Sequence, residues 1–254
     1  MKLETKARII LLDIENAPSL GYVWGKYEQD VLEFTKEWYI LSFAWKVLGE
    51  KTVHVHSLPD YPRYKRDKEN DSSLIHKLYE VLDGADIVIA HNGDRFDFPK
   101  SNARFIAHGL KPPQPYQTID TLKVARRYFK FTSNKLDDLG QYLKVGRKLK
   151  HYGFRTWKGC MDGDMKMWRI MCRYNQEDVR LLERIYLKLR PWIQNHPNLN
   201  VYTGRPDACP TCESTKIQRR GYGFNSLTGR YPVYRCTNCG RQMKGKPQKR
   251  VTLR

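Results

Sequence analysis

The sequence predicts an α/β protein, a mixed β-sheet flanked by helices, with a small β-rich module at the C-terminus. Short runs dense in β-branched and leucine side chains occur at residues 7–14 (ARIILLDI) and 86–90 (DIVIA), the pattern of strands buried on both faces. Long segments with apolar residues at helical spacing occupy most of residues 98–189. Two Cys-x-x-Cys pairs stand together in the last fifth of the chain, apart from everything before them.

The elements follow in order. Residues 39–47 and 51–57 read as two strands joined at Gly49-Glu50, an antiparallel hairpin. Residues 72–82 read as a helix capped by Ser72 or Ser73, with Leu74, Ile75, Leu78, Val81 and Leu82 on one face. The strand at 86–90 runs into the loop His91-Asn92-Gly93. Helical segments are expected at 98–110, 121–129 and 133–143, and the longest at 164–189, before Pro191. Early strands followed by alternating strand and helix give a sheet with helices packed on it. Turn formers and polar residues at 197–206 (PNLNVYTGRP) mark a change of composition. The expected organisation is a first domain over 1–198, a linker at 199–205, a small module at 206–245 and a basic tail at 246–254.

A hydrophobic fraction of 40% with 12% aromatics is enough for a packed core. No apolar run approaches the ~18–20 residues of a membrane span, and the first eight residues carry no apolar signal core. The expectation is a cytoplasmic protein with no membrane partner. Charge is the dominant bulk feature: 46 Lys and Arg against 27 Asp and Glu give +19. Residues 201–254 hold 12 basic and 2 acidic side chains, so about half of the excess sits in the last fifth of the chain. Such a surface concentrates polyanions and makes their binding salt-sensitive.

Asp13 and Glu15 lie two apart on the first strand, so both project from one face near its end. Adjacent like charges are unfavourable unless a cation or solvent offsets them, and open α/β sheets present functional groups at strand ends. Asp97 follows the 86–90 strand and its loop, at the opening of a helix, where it serves either as a first-turn acid or as a group facing a cation. Asp94 competes for both roles. Tyr174 and Asp178 are four apart on the long helix and share a face.

In this order the segments Asp13-Ile14-Glu15, His91-Asn92-Gly93-Asp94-Arg95-Phe96-Asp97, and Tyr174 with Asp178 resemble the three motifs of the DEDDy-type, DnaQ-like 3′→5′ exonucleases, a branch of the ribonuclease H-like superfamily. The stretches Ile119-Asp120-Thr121-Leu122 and Ser133-Asn134-Lys135-Leu136-Asp137-Asp138-Leu139 resemble family segments between the second and third motifs, and residues 1–196 are similar to the YprB-like exonucleases of phage and bacteria. The resemblance implies a ribonuclease H-like sheet and hydrolysis of phosphodiester bonds by a two-metal mechanism. Asp13, Glu15, Asp97 and Asp178 would hold two Mg²⁺ or Mn²⁺ ions, and Tyr174 would orient the attacking water, since a phenol with an ordinary pKa of ~10 is a weak base. The implied substrate is nucleic acid, single-stranded DNA or frayed 3′ ends ahead of RNA, and a polymerase, helicase or other replisome protein is a candidate partner. A 3′-trimming ribonuclease and a non-catalytic nucleic-acid-binding adaptor are the alternatives. Asp120 is either a residue supporting the site or a helix cap. Asn92 is a candidate substrate contact. Leu20, Tyr22 and Trp24, in the loop after the first strand, either stack on the terminal base or cover the core.

Cys209 and Cys212 form one knuckle, Cys236 and Cys239 the other, with 23 residues between them. Four thiolates suit one structural Zn²⁺ in a closed tetrahedral site, and a module of about 40 residues needs such a staple to fold. Strands expected at 216–220 and 231–235 make it a zinc ribbon, with Gly240 after the second knuckle where tight backbone favours glycine. Arg219 and Arg220, among further basic residues interleaved with Tyr222, Phe224, Tyr231 and Tyr234, fit contacts to phosphates and bases, or a protein-docking face.

Overall fold

The run IILLDIEN forms β1 (Ile9–Asn16), and its first four residues are fully enclosed because the strand lies in the middle of a sheet. The computed structural model describes residues 6–27, 30–225 and 229–246. Glu28 and the expected tail beyond Lys246 lie outside the described residues. The chain divides into two compact units, Arg8–Ile185 and a second one from Tyr186 to the C-terminus together with Met1–Ala7.

In the first unit β1 is followed by a hairpin of β2 (Leu20–Tyr22) and β3 (Glu33–Lys36), whose residues are all exposed. Then come β4 (Ile40–Val47), β5 (His54–Ser57), α1 (Ser72–Asp83), β6 (Ile87–Ala90), α2 (Asp97–Ala107) and β7 (Gln117–Asp120). The rest is helical: α3 (Thr121–Tyr128), α4 (Leu136–Tyr142), α5 (Phe154–Asp162) and α6 (Met165–Leu189). The five-stranded sheet has the order β5-β4-β1-β6-β7. β1 pairs antiparallel with β4 and parallel with β6, and β6 pairs parallel with β7, which makes the sheet mixed. The hairpin expected at 39–57 is β4–β5, with Trp45 opposite His54. The strand β7, the hairpin β2–β3 and the helix α5 are additions to the sequence reading.

Ile10, Leu12, Phe43, Leu74, Ile75, Leu78, Leu82, Val88 and Phe105 join in one core packed between sheet and helices. Two polar anchors fix the helices that carry site residues. Asp71 is fully buried; it accepts from Ile40 N–H at 3.0 Å, from the Arg104 guanidinium at 2.8 and 2.5 Å, and pairs with His108 at 2.8 Å. That ties α2 to the start of β4. Lys46 on β4 and Glu183 on α6 form an ion pair at 2.5 Å, and Glu183 also accepts from Gly49 N–H at 2.9 Å. Gly93 is required by close approach, because a Cβ there would meet the Ala90 Cβ at 2.4 Å and the Phe98 ring at 3.0 Å.

The second unit contains α7 (Asn200–Thr203) within the stretch expected as a linker, then β8 (Ile217–Asn225), β9 (Gly229–Cys236) and β10 (Gln242–Lys244) in a three-stranded antiparallel sheet of order β10-β9-β8. Both ribbon strands extend past the expected spans, and β10 is a third. The Arg241 guanidinium donates to the Ile193 carbonyl and, at 2.9 Å, to that of Gln194. Gly240 has φ 83, a left-handed conformation that side chains disfavour. No helix among the described residues is long and apolar enough to cross a membrane.

Replacing Asp71 by Ala removes the buried partner of Arg104 and exposes the Ile40 N–H to a cavity. Breaking a buried, hydrogen-bonded ion pair costs about 3–5 kcal/mol. Urea unfolding of Asp71→Ala is expected to show a loss of that size; a change under about 1 kcal/mol would show that the clamp is dispensable.

Candidate active site

β1 places Asp13 and Glu15 on one face, and α6 brings Asp178 to them; carboxylate oxygens of these three residues lie within 4.8 Å of one another. Asp178 is almost fully buried, whereas Asp13 and Glu15 keep part of their surface accessible, so the cluster opens to solvent from the strand side. Asp97 stands beside this trio. β6 ends at Ala90 and leaves the Ile14 N–H without a strand partner; the Asp97 carboxylate accepts it at 3.1 Å. The competing Asp94 is engaged elsewhere, paired to Lys123 at 2.6 Å.

Asp120 fills both roles left open for it. Its carboxylate accepts from Leu122 N–H at 2.9 Å and Lys123 N–H at 3.3 Å, capping α3, and from Asn92 N–H at 2.9 Å, holding the loop before Asp97. Asn92 itself has φ 67, a left-handed conformation asparagine tolerates better than most residues. His91 bridges Thr121 Oγ1 at 2.9 Å and the Asn134 carbonyl at 3.0 Å, and burial lowers its pKa to about 4, so it is a neutral strut.

Three residues that the sequence reading passed over complete the site. Lys148 Nζ lies 2.6 Å from Asp178 Oδ2 and donates to Tyr174 Oη at 2.5 Å. Asn175 donates to the Asp13 carboxylate at 2.6 Å and to its carbonyl at 3.1 Å, and is held by Ser42 Oγ at 3.2 Å. The Trp157 indole donates to Glu15. Nothing local separates Lys148 from Lys144 or Lys150, so periodicity could not have found it. Asn175 adjoins Tyr174, and that adjacency was the one available signal.

Crowded acids resist ionisation. Asp13 is held well above the usual carboxylate range by burial, then by Asp178, Glu15 and Asp97. Burial and Asp178 push Glu15 up to about 8, and burial pushes Asp97 up to about 7 despite the Ile14 N–H. Asp178 is raised by burial, with Lys148 pulling the other way. Lys148 stays charged: burial opposes its charge, but Asp178, Tyr174 and Asp13 outweigh it. Tyr174 is raised by burial and Asp178, so its phenol keeps its proton at neutral pH. Neither buried oxygen of Asp178 receives a well-directed hydrogen bond, although Lys148 is close enough to one for an ion pair. That contact balances charge, and the Tyr174 phenol also lies within hydrogen-bonding reach of the Asp178 carboxylate. Oxygen-only ligands, a surplus of negative charge and a buried carboxylate without a well-aligned donor fit a hard divalent cation.

A family model described as RNase H superfamily matches residues 39–190, more than half of the chain. The chain belongs to the RNase H superfamily. The matched span includes Asp97, Lys148, Tyr174 and Asp178 but begins after β1, so Asp13 and Glu15 join the site through the fold. RNase H-like nucleases use divalent metals, in keeping with the acidic cluster. The structure is similar to that of the family B DNA polymerase from the hyperthermophilic archaeon Pyrobaculum calidifontis, with TM-score 0.54 and 18% identity. The likeness covers 74% of this chain and 25% of the polymerase chain, and at that identity it speaks for the fold. No curated protein matches the sequence.

The remaining expected contacts lie elsewhere. Leu20, Tyr22 and Trp24 are 39%, 63% and 84% exposed on and beside the β2–β3 hairpin, so they do not cover the core. Arg219 and Arg220 are exposed on β8 in the second unit, and the Arg219 and Arg230 guanidinium groups lie 4.8 and 3.7 Å from the Tyr222 ring centre. In that unit the sulfurs of Cys209, Cys212, Cys236 and Cys239 all lie within 4.8 Å of one another, with Cys209–Cys239 and Cys212–Cys236 at 3.7 Å. A tetrahedron with Zn–S bonds of ~2.3 Å has edges of about 3.8 Å, so the four thiols match a zinc site and are far from disulfide distance.

Two outcomes follow. Glu15 has an ordinary pKa of 4.5 and a folded value of about 8, so the proton it binds favours the folded state at low pH. That contribution is complete below 4.5 and disappears as pH rises through about 8. The thermal midpoint of protein without added Mg²⁺ therefore falls across this window, and Mg²⁺ raises it most at the alkaline end; an equal Mg²⁺ effect at both ends would contradict the account. Purified protein is expected to carry one equivalent of zinc by elemental analysis, lost in Cys236→Ser. Full zinc content in that variant would remove Cys236 from the site.

Proposed function

We propose that the chain is a DEDDy-type, DnaQ-like 3′→5′ exonuclease acting on single-stranded DNA or frayed 3′ ends. The observation that carries this reading is the meeting of Asp13, Glu15 and Asp178 beside Tyr174, with Asp97 braced on Ile14 N–H. RNase H superfamily membership and the likeness to a DNA polymerase support a nuclease.

Asp13, Glu15, Asp97 and Asp178 would hold two Mg²⁺ or Mn²⁺ ions. Bound there, the ions would lower the pKa of a water and carry the charge of the leaving 3′ oxygen. Tyr174, with its proton retained, acts as an oriented hydrogen-bonding group for the attacking water. Lys148 balances the charge of Asp178 and holds the phenol in place; Asn175 and Trp157 aim the Asp13 and Glu15 carboxylates. The domain at 1–198 performs the chemistry. The zinc ribbon at 206–245, with Arg219, Arg220 and the cation-flanked Tyr222, adds grip on the nucleic acid.

The test is a digestion time course with Mg²⁺ on matched DNA and RNA strands labelled at the 5′ end. A ladder shortening from the 3′ end is expected on DNA, abolished by EDTA and in Asp13→Ala and Asp97→Ala, with both variants still folded and binding DNA. Faster digestion of the RNA strand would make the enzyme a 3′-trimming ribonuclease. Absence of cleavage on both strands with Mg²⁺ and with Mn²⁺ would overturn the enzymatic reading in favour of a binding protein.

A further inference from the structure

Residues 144–158 (KVGRKLKHYGFRTWK) contain no acidic side chain, and three of their side chains are spent on the catalytic cluster. Lys148 reaches Asp178 and Tyr174 at 2.6 and 2.5 Å, the His151 ring sits edge-on to Tyr174 with centroids 4.7 Å apart, and Trp157 donates to Glu15. The segment is thereby pinned along the border of the site. Around these anchors Arg147, Lys150, Tyr152, Phe154 and Arg155 are exposed. Tyr152 and Phe154 leave 59% and 64% of their surface to solvent. Among the described residues, the ion pairs of this segment are Lys148–Asp178 and Lys158–Asp162, so Arg147, Lys150 and Arg155 have no acidic partner.

Two large rings left in water beside three unneutralised cations are unfavourable for the isolated fold, since burial of an aromatic ring is a main source of stability. The same set suits a polyanion with free aromatic faces: cations track phosphates while rings stack on bases. Duplex bases already stack on each other, whereas an unpaired strand offers its faces. Given the nuclease reading, on which this inference rests, we propose that residues 147–155 form the strand-binding rim of the site. Tyr152 and Phe154 stack on unpaired bases next to the scissile end, and Arg147, Lys150 and Arg155 hold the phosphates. The rim makes the enzyme dependent on a single-stranded stretch.

Binding is measured in the Asp13→Ala background, where the strand stays intact, using a 5′-labelled oligothymidylate and a blunt duplex of equal length. Tyr152→Ala with Phe154→Ala is expected to weaken oligothymidylate binding about tenfold or more while changing duplex binding far less. Replacing both rings by Trp restores affinity. Lys150→Ala with Arg155→Ala flattens the dependence of affinity on salt. In the active protein the ring substitutions raise KM more than they lower kcat, and an unchanged thermal midpoint excludes misfolding as the cause. Unaltered oligothymidylate affinity and KM in the double-alanine variant, with cleavage intact in the parent, overturn the rim and leave the nuclease reading standing. Ring-dependent binding of the oligonucleotide by a parent that cuts nothing supports the rim and overturns the nuclease reading.

Discussion

Three carboxylates with oxygens within 4.8 Å impose the constraint that the rest of the first unit answers. Two unit charges 4 Å apart interact by about 4 kcal/mol at an effective dielectric of 20, so such a trio disperses unless the surrounding fold is stiff or a cation joins it. Lys148 offsets one charge. Asn175, the Trp157 indole and the Ile14 N–H fix the orientation of Asp13, Glu15 and Asp97 in turn. The raised carboxylate pKa values express the same tension, and a divalent cation relieves it by favouring the ionised forms.

The sheet and helices divide the work of resisting that repulsion. β1 is central, flanked by β4 and β6, so its two acids sit on the most constrained strand of the sheet. α6 cannot retreat, because Glu183 is locked to Lys46 and Asn175 is locked to β1 itself. α2 is held at its far end by Asp71 through Arg104 and His108, which fixes Asp97 at its near end. Each polar anchor is buried or half-buried, and each joins elements distant in sequence. In the second unit four thiols lie within 4.8 Å of one another, a spacing that would let a bound metal ion supply the stability a short segment lacks.

Local patterns made much of this legible. Asp13 and Glu15 share a face because strands repeat every two residues; Tyr174 and Asp178 share one because helices repeat every 3.6. The cysteine knuckles announce themselves by spacing alone. The missed elements are those whose residues do not alternate or do not reach the core. β2 and β3 are exposed throughout, and the first half of β7 is exposed. β10 is three residues long, and α5 buries only Thr156 and Cys160. The missed site residues fail for another reason: Lys148 and Trp157 act from a basic segment whose sequence reads as solvated surface.

The sequence by itself placed the candidate groups, since paired acids on a buried strand, an acid four residues after a tyrosine and two cysteine knuckles each follow from local geometry, and the order of the acidic segments carried the family resemblance. Tertiary structure alone decided which acids meet and what balances them. Asp97 enters through an N–H left free where β6 ends, Asp94 is withdrawn by Lys123, and Lys148 arrives from a loop 30 residues before Asp178 in the chain. These choices depend on distances across the fold, and a short-range repeat carries no information about partners that far apart.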